Sequence, residues 1–418
     1  MPPEEIEFDP FSEDYFNGPF ETYRRLREDA PVYYNEKYDF YALSRHVDVA
    51  AGHKNFETYS SAEGVDLGTV QSGEPPMHKS IITMDPPEHR HMRGLVNKVF
   101  TPRAIEELRP LATDLIDRHL HAADTAKFDV VQDFSALFPI EVITTMLGVP
   151  DERRGQIRLW LDDFLHREPG AVKISQTGLQ AALQMLVVYY QVVRERRARP
   201  RNDMISDLVS ATVQRENGEV TGLDNTEIAQ FALVLGGAGA VTVTRLVASM
   251  VVLFAQHPEQ WEKLQADRSK IPAAVEEVLR YESPTQYNVR RSREDVTLHG
   301  VTIPAGKPVF LLVGAANRDP DAWKEPDVFD IDRDRTQALN LGFGFGIHTC
   351  LGAALARMES AIALQRLLDF MPRYEVDWDG CRRVNMQNLA GWSNVPVRVS
   401  VDPDNTRRPH LGVSTRNE

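Results

Sequence analysis

The feature that most constrains this chain is an apolar run from about Ile228 to Ala255, long enough either to cross a bilayer or to form the central core helix of a large domain. Arg245 decides between the two: a central arginine costs on the order of 3 kcal/mol on membrane-insertion scales, and Gln230, Thr242, Thr244 and Ser249 add further polarity. The run therefore predicts one long, buried helix in a soluble fold. Asp224 can cap its free amides, with Glu227 three residues on completing a capping-box pattern, and His257-Pro258 ends it.

Composition supports such a fold. Hydrophobic residues make up 42% and charged residues 26% of 418, as in ordinary globular proteins, which argues against long disorder, collagen and multi-span membrane classes. With 47 Lys and Arg against 61 Asp and Glu the net charge is −14, so nucleic acid is excluded as a main partner. No Ser/Gly-rich or charge-rich linker divides the chain, which predicts one large domain over residues 1–401 and a polar C-terminal tail over 402–418. Two cysteines, Cys350 and Cys381, are too few for a disulfide framework, and the acidic stretch Met1–Glu13 lacks a basic-then-apolar leader, so a cytoplasmic protein is expected.

Helical periodicity recurs at Pro102–His121, Pro139–Leu147, Arg153–Phe164, Gln180–Arg197, Pro272–Tyr281 and Cys350–Phe370. Strand signals are short and few: Val32–Tyr34 with Phe40–Ala42, Val296–Leu298 with Val301–Ile303, Val309–Val313 and Val397–Val401. Without regular strand–helix alternation this predicts a mainly α protein with small β-sheets, of the α+β class.

Cys350 sits in Phe343-Gly344-Phe345-Gly346-Ile347-His348-Thr349-Cys350-Leu351-Gly352, directly before a helical pattern, where free amides favour thiolate over thiol. Gly344 and Gly346 remove side chains just upstream, so a large flat ligand can lie against the backbone, and together these point to a metal macrocycle. A buried structural cysteine would not explain the neighbouring glycines and histidine. A phosphate loop lacks its closing Lys and Ser/Thr, and His348 is poorly placed as the base for a nucleophilic thiol.

These ten residues resemble, throughout, the Phe-Gly-x-Gly-x-His-x-Cys-x-Gly signature of the cytochrome P450 haem-thiolate family, of the soluble bacterial kind. The resemblance runs from about Pro19 to Val401 with its motifs in the family's order, and it implies the P450 fold and haem b with Cys350 as axial iron ligand. It further implies that Glu277 and Arg280, with Arg333, hold the thiolate loop in place, and that Asn317-Arg318-Asp319-Pro320 is a landmark before it. His89 and Arg93, one helical turn apart, resemble donors to the haem propionates together with Arg290 and His348, and Phe343 and Gly344 line the cofactor.

Three interior helix glycines, Gly236, Gly237 and Gly239, each cost on the order of 1 kcal/mol relative to alanine and ask for close approach by a ligand or by another helix. The run resembles the family's oxygen-binding kink, with Ala238, Gly239 and Thr242 in register and Thr242 able to donate a hydrogen bond toward bound dioxygen. Val241 stands where the family usually has Asp or Glu and cannot carry protons, so protons need another route and electrons are expected to leak to hydrogen peroxide.

The resemblance implies a monooxygenase that takes dioxygen and two electrons to hydroxylate or epoxidise a largely apolar small molecule. Electrons would come from a ferredoxin and its reductase, docking on a basic patch for which Lys98, Arg103, Arg335 and Arg357 are candidates; a monomer is expected. Substrate contacts are expected from the loop Thr58–Met84, the Phe164–Val193 region, and Val234, Leu235, Ala238, Gln286, Tyr287, Asn288 and Leu389. Oxidative coupling or peroxide-driven turnover, and a haem carrier without turnover, are the alternatives.

Overall fold

The capping box forms as the sequence predicts. The Asp224 carboxylate accepts from the amides of Thr226 at 2.7 Å and Glu227 at 2.8 Å, and the Glu227 carboxylate accepts from the Asp224 amide at 2.8 Å. From there one unbroken α-helix runs from Asn225 to Gln256 in the computed structural model, which describes residues 6–74, 79–97, 99–215 and 218–400. It is long and apolar enough to cross a membrane, yet most of it lies buried inside the protein.

The helices that build the site are, in chain order, α1 (Glu88–Val96), α2 (Arg109–Ala122), α3 (Phe138–Leu147), α4 (Asp151–Leu165), α5 (Gln176–Ala198), α6 (Asn225–Gln256), α7 (Ile271–Tyr281) and α8 (Ala353–Phe370). The expected helix over Pro102–His121 is two, Pro102–Glu107 and then α2, because Pro110 falls in the first turn of the second and cannot donate to the helix before it. Helix α6 is the axis about which α3, α4 and α5 pack, and its glycines make that packing possible. A Cβ on Gly236 would lie 2.3 Å from the Tyr189 hydroxyl on α5, one on Gly237 3.1 Å from Leu161 on α4, and one on Gly239 3.0 Å from Ile143 on α3. Of the two readings the glycines left open, helix contact is the one realised.

Five strands make the main sheet: β1 (Val32–Asn35), β2 (Phe40–Leu43), β3 (Tyr59–Ser60), β4 (Asn288–Ser292) and β5 (Pro308–Leu311), in the order β1-β2-β5-β4-β3. Strands β3 and β4 escape the sequence reading, β3 because it is two residues long and β4 because its arginines hide the apolar alternation. The Val296–Leu298 and Val301–Ile303 hairpin forms as expected, and the C-terminal strand is Pro396–Val399. The tail 402–418 lies outside the described residues. An aromatic cluster supports the sheet: Phe40 stacks on Phe310 at 4.1 Å between ring centroids, and Phe310 on Tyr287 at 4.7 Å.

Candidate functional site

The loop before α8 is a set of tight turns. Gly344 and Gly346 have φ of 70° and 74°, a backbone region that favours glycine, and a Cβ on Gly346 would lie 2.6 Å from the His53 carbonyl oxygen. The Cys350 amide donates to the Phe343 carbonyl at 2.8 Å and closes the loop. Helix α8 opens only at Ala353, with Gly352 as its N-cap, so Cys350 lies in the turn ahead of the helix. In the protein alone, burial pushes the Cys350 thiol up; the Gly352 amide and the charges of Arg93 and Arg357 pull the other way and are outweighed. The expected thiolate thus needs a cation on the sulfur, since a coordinated thiol is deprotonated outright.

Such a ligand has room. Cys350 is solvent-accessible although protein surrounds it, Gly342 to Thr349 are all half-buried, and Ala238 is exposed in the middle of α6. These surfaces leave both the loop and α6 accessible to a ligand.

Joined to the loop is a cluster of arginine and histidine side chains. His89 and Arg93 come from successive turns of α1, Arg290 from β4 and His348 from the loop. The His89 and His348 rings stand 4.4 Å apart, and both Nε2 atoms are buried without a partner. Arg93 donates to the Thr349 carbonyl at 2.7 Å, and Arg290 to its neighbour's carbonyl, that of Val289, at 2.8 Å. Burial and then the neighbouring positive charges depress the group: His89 falls to about 4, and Arg290 falls to about 10 through burial. His348 falls to about 2. His53, on the helix His46–Lys54, belongs here as well: it is buried, its Nε2 is unpartnered, and burial and Arg290 lower it to about 3. The sequence reading missed it, because nothing in the sequence around His53 shows that it meets β4. Asp85, the acid nearest in effect on Arg290, is engaged by Ser60 at 2.6 Å and Arg293 at 2.7 Å.

Opposite in character is the Glu277, Arg280 and Arg333 group. Glu277 and Arg280 on α7 form two hydrogen bonds of 2.8 Å each, and Arg333 reaches Glu277 at 3.1 Å. Arg280 also donates to the carbonyls of Asn317 at 2.8 Å and Pro326 at 2.9 Å. From Asn317 the link to the cysteine loop is direct, since its side-chain oxygen accepts from the Leu341 amide at 2.9 Å and its nitrogen donates to Asn340 at 3.2 Å. Asn340 in turn donates to the Glu276 carbonyl at 3.0 Å, a clasp that the sequence did not reveal.

The family model for cytochrome P450 matches residues 172–388, just over half of the chain. The putative cytochrome P450 123 of Mycobacterium tuberculosis is 40% identical over 397 residues, covering 94% of this chain and 97% of that one. The chain is a cytochrome P450. The erythromycin C-12 hydroxylase of Saccharopolyspora erythraea is 35% identical, with 90% and 94% covered. Among solved structures, the crystal structure of CYP109E1 from Bacillus megaterium with testosterone aligns at a TM-score of 0.83 and 31% identity, covering 93% of this chain and 99% of that one. The P450 is therefore a haem b protein and a monooxygenase, as the sequence resemblance implied.

Haem fits what this structure offers. A cluster of two arginines and three histidines with unpartnered ring nitrogens suits carboxylates, which two propionates supply, and the accessible Cys350 and the side-chain-free backbone at Gly344 and Gly346 suit a flat ligand. Other expectations need correction. Gly239 packs on Ile143, on a different side of α6 from exposed Ala238. Helix α6 is assigned without a break through this run, and Thr242 donates its hydroxyl to the Ala238 carbonyl at 2.8 Å, leaving the oxygen lone pairs free. Val241 is buried in the core.

Of the expected substrate contacts, Val234 and Asn288 are half-buried and Ala238 is exposed. Tyr287 is instead locked in the aromatic cluster, its hydroxyl donating to the Gln387 carbonyl at 3.0 Å. Gln286 donates to the Ser283 carbonyl at 2.6 Å and its Oε1 packs against Gly314, while Leu235 and Leu389 are buried in the main core. Sequence placement near the pocket does not fix which way a side chain points. Residues 75–78 of the loop Thr58–Met84 lie outside the described residues, as does Lys98.

Proposed function

We propose that Cys350 binds the iron, that His89, Arg93, Arg290 and His348 hold the two propionates, and that Ala238 and Thr242 face bound dioxygen. The haem supplies the oxidising power that inserts one oxygen atom of dioxygen into substrate. Around it the chain's residues exclude water, orient the substrate and manage protons. Carrying this reading is the cluster of two arginines and three histidines with unpartnered ring nitrogens, whose acid, Asp85, is engaged by Ser60 and Arg293, together with an accessible cysteine. The substrate is a largely apolar small molecule, supported by the small molecules in the relatives' names: erythromycin for the hydroxylase and testosterone in the solved complex. Replacing Cys350 with serine is the test. The variant should fold yet lose the thiolate-type absorption band of the reduced carbon monoxide complex, and a variant that kept that band would end the assignment.

Val241 gives the proposal its second part. With Thr242 donating within the helix and valine in the acid's place, proton delivery is slow and reducing equivalents leak to hydrogen peroxide. Hydrogen peroxide per NAD(P)H consumed should be high for the native protein and lower for Val241→Glu; equal, low leakage in both would refute this part.

Electrons are delivered, in this reading, by a ferredoxin with its reductase to a cytoplasmic monomer. Support comes from an open groove of about 750 Å³ between α7, α8 and the helix Pro102–Glu107, edged by Arg109, Arg335 and Arg357. Of the expected docking arginines, Arg103 is paired with Glu107 at 3.0 Å and Arg357 with Glu276 at 2.5 Å. Turnover supported by an acidic carrier should fall as salt rises.

A further inference from the structure

The cysteine loop carries a further charged pair, Arg357 and Glu276. Arg357 projects from α8 so that its guanidinium carbon lies 4.4 Å from the centre of the Phe343 ring. Phe343 is the residue whose carbonyl accepts the Cys350 amide, so its ring stands at the root of the loop. The guanidinium is fixed there by Glu276 on α7, through Nε at 2.5 Å and a longer Nη2 contact at 3.4 Å. Glu276 is the better buried partner, 18% exposed against 48% for Arg357, and both line the groove between α7 and α8. Its backbone carbonyl also accepts from Asn340 at the start of the same loop, which ties the carboxylate and the loop together.

We propose that Arg357 and Glu276, held beside the Phe343 ring, set the electrostatic field felt by the iron-bound sulfur and so set the reduction potential of the P450. Reduction adds one negative charge to the iron centre, so a nearby cation favours the reduced state and a nearby anion opposes it. Arg357 over the ring raises the potential, and Glu276 restrains that rise by neutralising Arg357 and holding it in one position. A guanidinium on an aromatic face keeps its charge while shedding part of its hydration, which makes it effective across a short protein path. Both groups act through the ring and the sulfur and are positioning residues.

The inference rests on Cys350 being the iron ligand, so the measurement is confined to preparations that show the thiolate-type band of the reduced carbon monoxide complex. Loss of that band reports on the ligand assignment, whereas its retention isolates the present question. The experiment is equilibrium redox titration of the haem-loaded protein with Glu276→Gln, Arg357→Gln and Arg357→Lys. Glu276→Gln, which keeps a hydrogen-bond acceptor, should shift the potential upward; Arg357→Gln should shift it downward; Arg357→Lys should stay close to native. The shifts should shrink as ionic strength rises, because Arg357 is half-exposed. If both charge-removing variants keep the native potential at low salt, or both shift it in the same direction, the proposal is overturned.

Discussion

Two clusters of titratable side chains are joined to the cysteine loop and are built on opposite principles. In the Glu277, Arg280 and Arg333 group every charge has an internal answer: a bidentate pair, a second arginine on the same carboxylate and backbone carbonyls as acceptors for the remaining donors. In the cluster of His53, His89, His348, Arg93 and Arg290 two guanidinium groups lie among imidazoles that burial keeps neutral, and three ring nitrogens have no partner. A fully satisfied cluster serves the fold, whereas a buried cluster of one sign is incomplete until a ligand of the other sign arrives.

The contrast can be broken by mutation. Glu277→Gln removes the one anion from between two buried arginines, and breaking a buried pair this way costs about 3–5 kcal/mol. The chain should then yield little folded protein, with or without haem, as denaturant titration would show. Arg290→Leu should behave differently in the two states. The haem-free protein loses an uncompensated buried charge and should be as stable as native or more so, while the loaded protein should lose haem about 10-fold faster or more, since a hydrogen bond to a charged group contributes about 1.5–3 kcal/mol. Equal destabilisation of both states would place Arg290 with the structural cluster.

Acid should sharpen the same contrast with a smaller effect. Burial holds His53, His89 and His348 neutral in the folded haem-free protein, far below the ordinary 6.5. The unfolded chain therefore binds more protons than the folded one in mild acid. This contribution to stability is fully present above about pH 6.5 and is lost progressively as pH falls, toward about 4 for His89. Unfolding followed against pH should show the haem-free protein weakening steeply over that window, and the loaded protein less so, because propionates favour the charged imidazoles.

The sequence by itself determined local matters. Asp224, Glu227 and the Pro258 stop set the ends of α6, because capping chemistry acts within one turn. The signature around Cys350 and the pair Glu277 and Arg280 could be read because their spacing is short. Tertiary structure alone decided which side chains meet. It brought His53 to the cationic cluster across more than two hundred residues from β4, and it sent Tyr287 and Gln286 into the core beside a pocket they were expected to line. It also decided that the glycines of α6 serve helix contact, since a missing Cβ acquires meaning only from the atom that would have struck it. Local backbone chemistry is written in neighbouring residues, whereas burial, orientation and charge compensation depend on segments far apart in the chain, and these made a set of scattered histidines and arginines into a site.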